Sequence, residues 1–278
     1  MSASQDIRPS PIAGLWYTSN PEQLRRQINQ YLAQAELPEL AGEVVALIAP
    51  HAGYRYSGRT AGYAFRAVSG RQYEQVVVLS PFHGYHPAPL LVSAHAAYQT
   101  PLGTVPVDRQ AIESLDQRLS TRLTPISRDE EHSLEIELPF LQCALAGPFR
   151  LLPVMMRSQS PQTARMLGEA LAQELTGRSA LLVGSTDLSH FYDQQEADRL
   201  DAEMLRQIAD FSPEGMLQAE REGKGFACGV APVAALLWAA HHLGGNQVHI
   251  LHHSTSGDVT GDRSSVVGYG AAVILKTA

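Results

Sequence analysis

Short apolar runs that stop abruptly at a polar turn constrain this 278-residue chain more than any other feature. Residues 44–48 (Val-Val-Ala-Leu-Ile) form one such run, and Ala49-Pro50-His51-Ala52-Gly53-Tyr54 ends it. Residues 75–79 (Gln-Val-Val-Val-Leu) form a second, ended by Ser80-Pro81-Phe82-His83-Gly84. The third is Leu181-Leu182-Val183-Gly184, ended by Ser185-Thr186-Asp187-Leu188-Ser189-His190. Runs of this length read as buried strands. Open α/β folds collect their ligands beyond the carboxyl ends of such strands, so His51 and His83 stand where chemistry is expected. If their strands are parallel neighbours joined by one crossover helix, the two imidazoles face a common centre.

Between these runs the helical signals alternate with the strand signals. Asn20 before Pro21 and Glu22 is a fitting N-cap, followed by Leu24, Ile28, Tyr31 and Leu32 at helical spacing. Further helices are predicted over 60–68 (stopped by Gly70), 108–119, 133–145, 161–175, 193–209, 213–219 and 230–242. Strands are predicted over 150–155, 179–183, 247–252 and 265–275. The proline-punctuated stretch 90–107 reads as short strands in an edge or hairpin-like insertion. The pattern is that of a three-layer α/β/α protein, and without a linker or repeat one domain over 1–278 is expected.

Composition narrows the function. Acidic residues number 28 against 21 basic ones, with no lysine-arginine tract to meet a nucleic-acid backbone or an anionic membrane. The apolar runs are too short for a transmembrane or secretory span, and a cytoplasmic location is expected. Two cysteines are too few for a disulfide scaffold. Cys143 falls inside an apolar helical pattern and reads as packed and inert. Cys228, just before the apolar helix at 230, is placed where free amides favour a thiolate, a metal ligand or a nucleophile.

Two histidines indicate a metal without saying which, since neutral imidazole suits iron, copper, zinc and nickel. Asp187 and His190, three positions apart, can form an acid–base pair if the turn between them has helical pitch. The rival reading makes Ser185, Thr186 or Asp187 a helix cap. Glu131 and His132, at the opening of a helix, are favourably placed to point into a pocket, and His132 reads as lining it; the glutamates stay open, with solvated or first-turn charges one reading of Glu135 and Glu137. The glycine–aspartate pairs at 257–258 and 261–262 lack EF-hand spacing, and Gly53, Gly58 and Gly62 make no dinucleotide fingerprint.

Taken in order, Pro50-His51-Ala52-Gly53-Tyr54, Ser80-Pro81-Phe82-His83, Glu131-His132-Ser133-Leu134-Glu135, Ser185-Thr186-Asp187-Leu188-Ser189-His190 and Cys228-Gly229 resemble the motifs of the MEMO family, also called protein B of the AmmeMemoRadiSam system. The resemblance runs from about Pro11 to the last strand. It implies a fold like that of LigB-type class III extradiol dioxygenases, with a mononuclear non-haem iron(II) centre or, alternatively, copper. It also implies His51, His83 and Cys228 as metal ligands and Asp187 and His190 as catalytic pocket residues. Tyr54 and His132 would then bound the substrate cavity. Related dioxygenases carry a carboxylate where this chain has Cys228, which sets it apart from ordinary ring cleavage. Three functions follow: a metal-dependent oxidoreductase acting on a small molecule, a metal-assisted hydrolase, and a non-catalytic binder of copper or phosphopeptide. The system name implies an AMMECR1-like protein and a radical SAM enzyme as partners.

Overall fold

The computed structural model describes residues 6–277. At its centre four parallel strands lie side by side in the order Glu43–Ala49, Ala180–Ser185, Gln75–Pro81 and Arg150–Met156. Their side chains are buried almost without a break. That is why these runs are continuously apolar instead of alternating: helices cover both faces of a parallel sheet.

Val266–Lys276 extends this core antiparallel to Glu43–Ala49, and Gln247–Thr255 pairs with its other edge. On the far side Leu90–Ser93 runs antiparallel to Arg150–Met156 and is followed by Thr124–Ile126. His190–Tyr192 pairs with the start of Val266–Lys276, completing a nine-stranded sheet among the described residues. One helical layer holds Pro21–Gln34, Tyr54–Arg66 and Leu138–Ala144; the other is built on Pro161–Leu175, Pro213–Arg221 and Val230–His242. Every residue from Val230 to Ala240 is buried. A helix apolar all round belongs inside, and this one is wedged between the sheet and its two companion helices.

The three-layer α/β/α architecture is therefore the one expected, but its details differ. The strands leading to His51 and His83 are not neighbours, because Ala180–Ser185 runs between them. The crossover helix begins at Tyr54, six residues before the predicted start. The helix predicted over 133–145 is two helices, His132–Glu135 and Leu138–Ala144. Pro139 explains the break: it fits the first turn of a helix, but in a continuous one its ring would clash with the carbonyl four residues back. The stretch 90–107 does contain a hairpin, Ala97–Thr100 with Gly103–Pro106, which with Ile7–Arg8 forms a separate three-stranded sheet. No helix among the described residues is long and apolar enough to cross a membrane.

Gly168, in the middle of Pro161–Leu175, marks a close approach to the helix Val230–His242. A Cβ there would lie 2.5 Å from the Ala235 carbonyl oxygen and 2.7 Å from Trp238 Cβ. Gly168→Ala gains about 1 kcal/mol of helix propensity but forces backbone apart at a cost of about 1–3 kcal/mol. Overpacking should win, lowering the urea unfolding midpoint; a raised midpoint would show that the helix pair slides apart freely.

Candidate metal centre

Three of the four central strands, Glu43–Ala49, Ala180–Ser185 and Gln75–Pro81, end at one edge of the sheet, where the turns that leave them meet the turn before Val230–His242. One ligand atom each from His51, His83 and Cys228 lies within 4.8 Å of the other two. That is near twice the roughly 2.3 Å length of a zinc–sulfur bond, so one ion can sit among them. His51 Nε2 is 3.1 Å from Cys228 Sγ, while the His51 and His83 rings meet edge to face at 5.4 Å.

Each donor is held by a different device. His51 Nδ1 lies 2.9 Å from Ser185 Oγ. Asp187 Oδ1 accepts from the backbone amides of His51 (2.8 Å) and Ala52 (3.3 Å), fixing the turn that carries the imidazole. His83 Nδ1 lies 2.9 Å from Glu131 Oε1, and the His83 amide donates to Glu131 Oε2 at 2.6 Å. Cys228 Sγ accepts from the Asp187 amide at 3.3 Å, and Thr186 Oγ1 accepts from Gly229 at 2.9 Å. With both Nδ1 atoms engaged, each histidine has Nε2 free for an ion, and two imidazoles with one sulfur make a suitable donor set for a transition metal.

Charge is arranged around these donors. Burial would raise the Glu131 carboxyl, but the hydrogen bond and charge of His83, with the Ser133 and His83 amides, hold it down at about 2. Burial works against a charged His83, and Glu131 overcomes it, so the imidazole is raised. His51 is driven well below its ordinary value by burial and by repulsion from His132 and His83. Burial lowers His132 to about 4, with Glu131 opposing. Asp187 is raised by burial to about 7 against the amides of His51 and Ala52.

Entry is from the His83 side. The His83 side chain is 39% exposed and lines a depression of about 370 Å³ with Phe82, Gly84, Arg128, Glu130, Glu131 and His132. His132 stacks on His83 at 4.7 Å and meets Trp16 at 4.1 Å with the rings tilted by 33°. Trp16 escaped the sequence reading, because a lone aromatic in an irregular segment carries no periodic signal.

Several expected contacts do not form. Tyr54 does not bound the cavity: it is 2% exposed, packs against Tyr17 and Phe140, and donates its hydroxyl to the Ile136 carbonyl at 2.7 Å. Asp187 and His190 make no acid–base pair, since an extended segment, not a helical turn, separates them. His190 Nδ1 instead meets the Leu188 carbonyl at 2.7 Å. The Cys228 thiol is raised, because burial and the Asp187 carboxylate outweigh the amides of Asp187 and Gly229. Its helix position alone therefore does not make it a thiolate. Glu135 and Glu137 are not solvated; both are buried.

A sequence profile described as Memo-like protein matches residues 8–273. The chain belongs to the MEMO family. A MEMO1 family protein of Nitrosopumilus maritimus is 33% identical over 95% of this chain and 98% of its own length. MEMO1 family proteins of Methanopyrus kandleri (35%, covering 97% and 99%) and Methanothermobacter thermautotrophicus (36%, covering 95% and 98%) are similar throughout. An uncharacterized protein of Escherichia coli K12 with a known crystal structure superposes with a TM-score of 0.55 at 14% identity, over 83% of this chain and 100% of that one. A likeness at that identity is one of fold.

The MEMO match begins at Arg8, which is 1% exposed. Its guanidinium pairs with Asp129 (Nε to Oδ2, 2.9 Å) and Glu135 and donates to the Glu131 carbonyl at 2.8 Å, anchoring the loop that carries Glu131 and His132. Arg8→Met keeps the side chain's length but strands two buried carboxylates. Breaking a buried pair this way costs about 3–5 kcal/mol, to be read from urea unfolding at pH 7; a loss under about 1 kcal/mol would mean that the network is solvated.

Proposed function

We propose that this MEMO-family chain is a mononuclear metal-dependent oxidoreductase whose ion, iron(II) with copper as the competitor, is held by His51, His83 and Cys228 and acts on a small molecule. The observation that carries this reading is the convergence of two imidazoles and one thiol from three separate turns onto one point within 4.8 Å. Three protein donors leave positions open for a substrate or dioxygen. When bound, a redox-active ion supplies electron transfer to those partners.

The remaining residues bind, orient and move protons. His190 has Nδ1 on the Leu188 carbonyl, so Nε2 is left to take or give a proton, and burial lowers the imidazole toward its neutral form. Asp187 is proposed to hold the His51 turn and the Cys228 sulfur in place and, near neutrality, to serve as a second proton carrier. His132, stacked on His83 and backed by the tilted ring of Trp16, offers an aromatic surface beside the open face, suited to a planar group.

Anaerobic loading of protein purified without a nickel column tests the reading. Wild type should take up a single equivalent of iron(II) or copper(I), and His51→Ala, His83→Ala and Cys228→Ser should each bind more than about 100-fold more weakly, beyond the 10–100-fold typical of losing an outer hydrogen-bond partner. Above the raised pKa of His83, where only the thiol proton must leave, uptake should release one proton and strengthen about tenfold per pH unit, and it should steepen below that pKa as the His83 proton must leave too. His190→Ala should keep the ion but slow oxygen consumption by about 100-fold or more. Metal content unchanged by all three ligand substitutions would defeat the assignment, and a preference for zinc with no oxygen uptake would favour a hydrolase.

A further inference from the structure

Glu137 plays no part in that chemistry, yet it lies beneath it. It is 1% exposed, Oε1 sits 2.6 Å from Ser185 Oγ, and Oε2 has no hydrogen-bond partner. Ser185 Oγ has two further neighbours, the Ser133 carbonyl at 2.6 Å and His51 Nδ1 at 2.9 Å. A serine hydroxyl offers one proton and two lone pairs. The Ser133 carbonyl can only accept, so the Ser185 proton goes there. The other two neighbours must then donate to Oγ, His51 from Nδ1–H and Glu137 from a carboxylic acid O–H. Were Ser185 to donate to Glu137 instead, Oγ and the Ser133 carbonyl would face each other at 2.6 Å with no proton between them.

We propose that Ser185, its proton held by the Ser133 carbonyl and its remaining lone pair filled by the Glu137 acid, is a positioning residue that locks His51 as the Nδ1–H tautomer and thereby turns the Nε2 lone pair toward Cys228 and His83. Burial favours the donor form, pushing the Glu137 carboxyl well above its ordinary range. The tautomer is a property of the polypeptide alone; only its consequence for ion binding rests on the function proposed above. His83 is given the same tautomer by the opposite means, an ionised Glu131 accepting directly from Nδ1.

Long-range proton–nitrogen NMR correlation on the metal-free, histidine-labelled full chain reads the tautomer directly. In wild type, His51 should show a protonated Nδ1 and an unprotonated Nε2. Glu137→Gln, whose amide N–H can donate to Ser185 as the acid does, and Glu137→Leu, which leaves the Ser133 carbonyl to take the Ser185 proton, should keep that pattern, whereas Ser185→Ala should lose it. Cobalt(II) titration, followed by the thiolate-to-metal absorption band, should weaken about 10–100-fold in Ser185→Ala. Adding Glu137→Leu to Ser185→Ala should weaken it no further, as expected if Glu137 meets His51 only through Ser185. A wild-type His51 protonated on Nε2, a tautomer unchanged in Ser185→Ala, or a further loss in the double variant would each overturn the lock. If Glu137→Leu fails to fold, Ser185→Ala and Glu137→Gln still decide the matter. Wild type that binds no cobalt but shows the Nδ1–H pattern would uphold the lock and overturn the metal assignment.

Discussion

Residues Ser185, Thr186 and Asp187 tie together three turns that otherwise share no covalent neighbour. Ser185 reaches the His51 ring, Asp187 reaches the His51 and Ala52 amides, and Thr186 caps Gly229 beside Cys228. The Asp187 amide donates to the sulfur itself. Because Ala180–Ser185 runs between the strands leading to His51 and His83, its end is the natural place for such a hub. The close fit shows at Gly229: a Cβ there would come within 2.5 Å of the Ser185 carbonyl oxygen. Any larger residue would lift the Cys228 turn off the strand end and carry the sulfur away from His51.

How much of this could be read from the residues depends on the kind of signal each leaves. The buried strands announce themselves because burial on both faces demands continuous apolar runs, and the histidines are conspicuous because they follow such runs at once. Strand order leaves no comparable mark, so His51 and His83 look like products of adjacent strands when a third lies between them. His190–Tyr192 and Thr124–Ile126 are three residues each, too short to display a period. Glu135 and Glu137 look solvated on a continuous helix. The break before Pro139 re-aims that face inward, where Arg8, Ser10 and Tyr17 meet Glu135 and Ser185 meets Glu137. Tyr54 differs from its expected place for a related reason: its helix begins at that residue, which turns the ring into the core.

The charge on Cys228 shows which of two opposing effects prevails. A helix N-terminus favours an anion by about 0.3–1 kcal/mol at exposed positions, but burying an unpaired charge costs far more. The thiol is therefore pushed toward its protonated form, with Sγ 3.1 Å from His51 Nε2. That contact also explains how the donors are kept poised. The pair already stands within hydrogen-bonding distance, so placing a cation between them would ask for little rearrangement of the surrounding hydrogen bonds.

The two histidines differ in what they can do around such a cation. His51 is 2% exposed and enclosed by Ser185, Asp187 and Cys228, so its ring cannot swing without breaking buried hydrogen bonds. His83 stands on the rim, its side chain 39% exposed and its one strong constraint the Glu131 carboxylate. The depression of about 370 Å³ opens beside His83 and His132, on the exposed side of the donor cluster. The buried histidine and the sulfur fix where the ion would sit, and the exposed histidine fixes the side from which it can be reached.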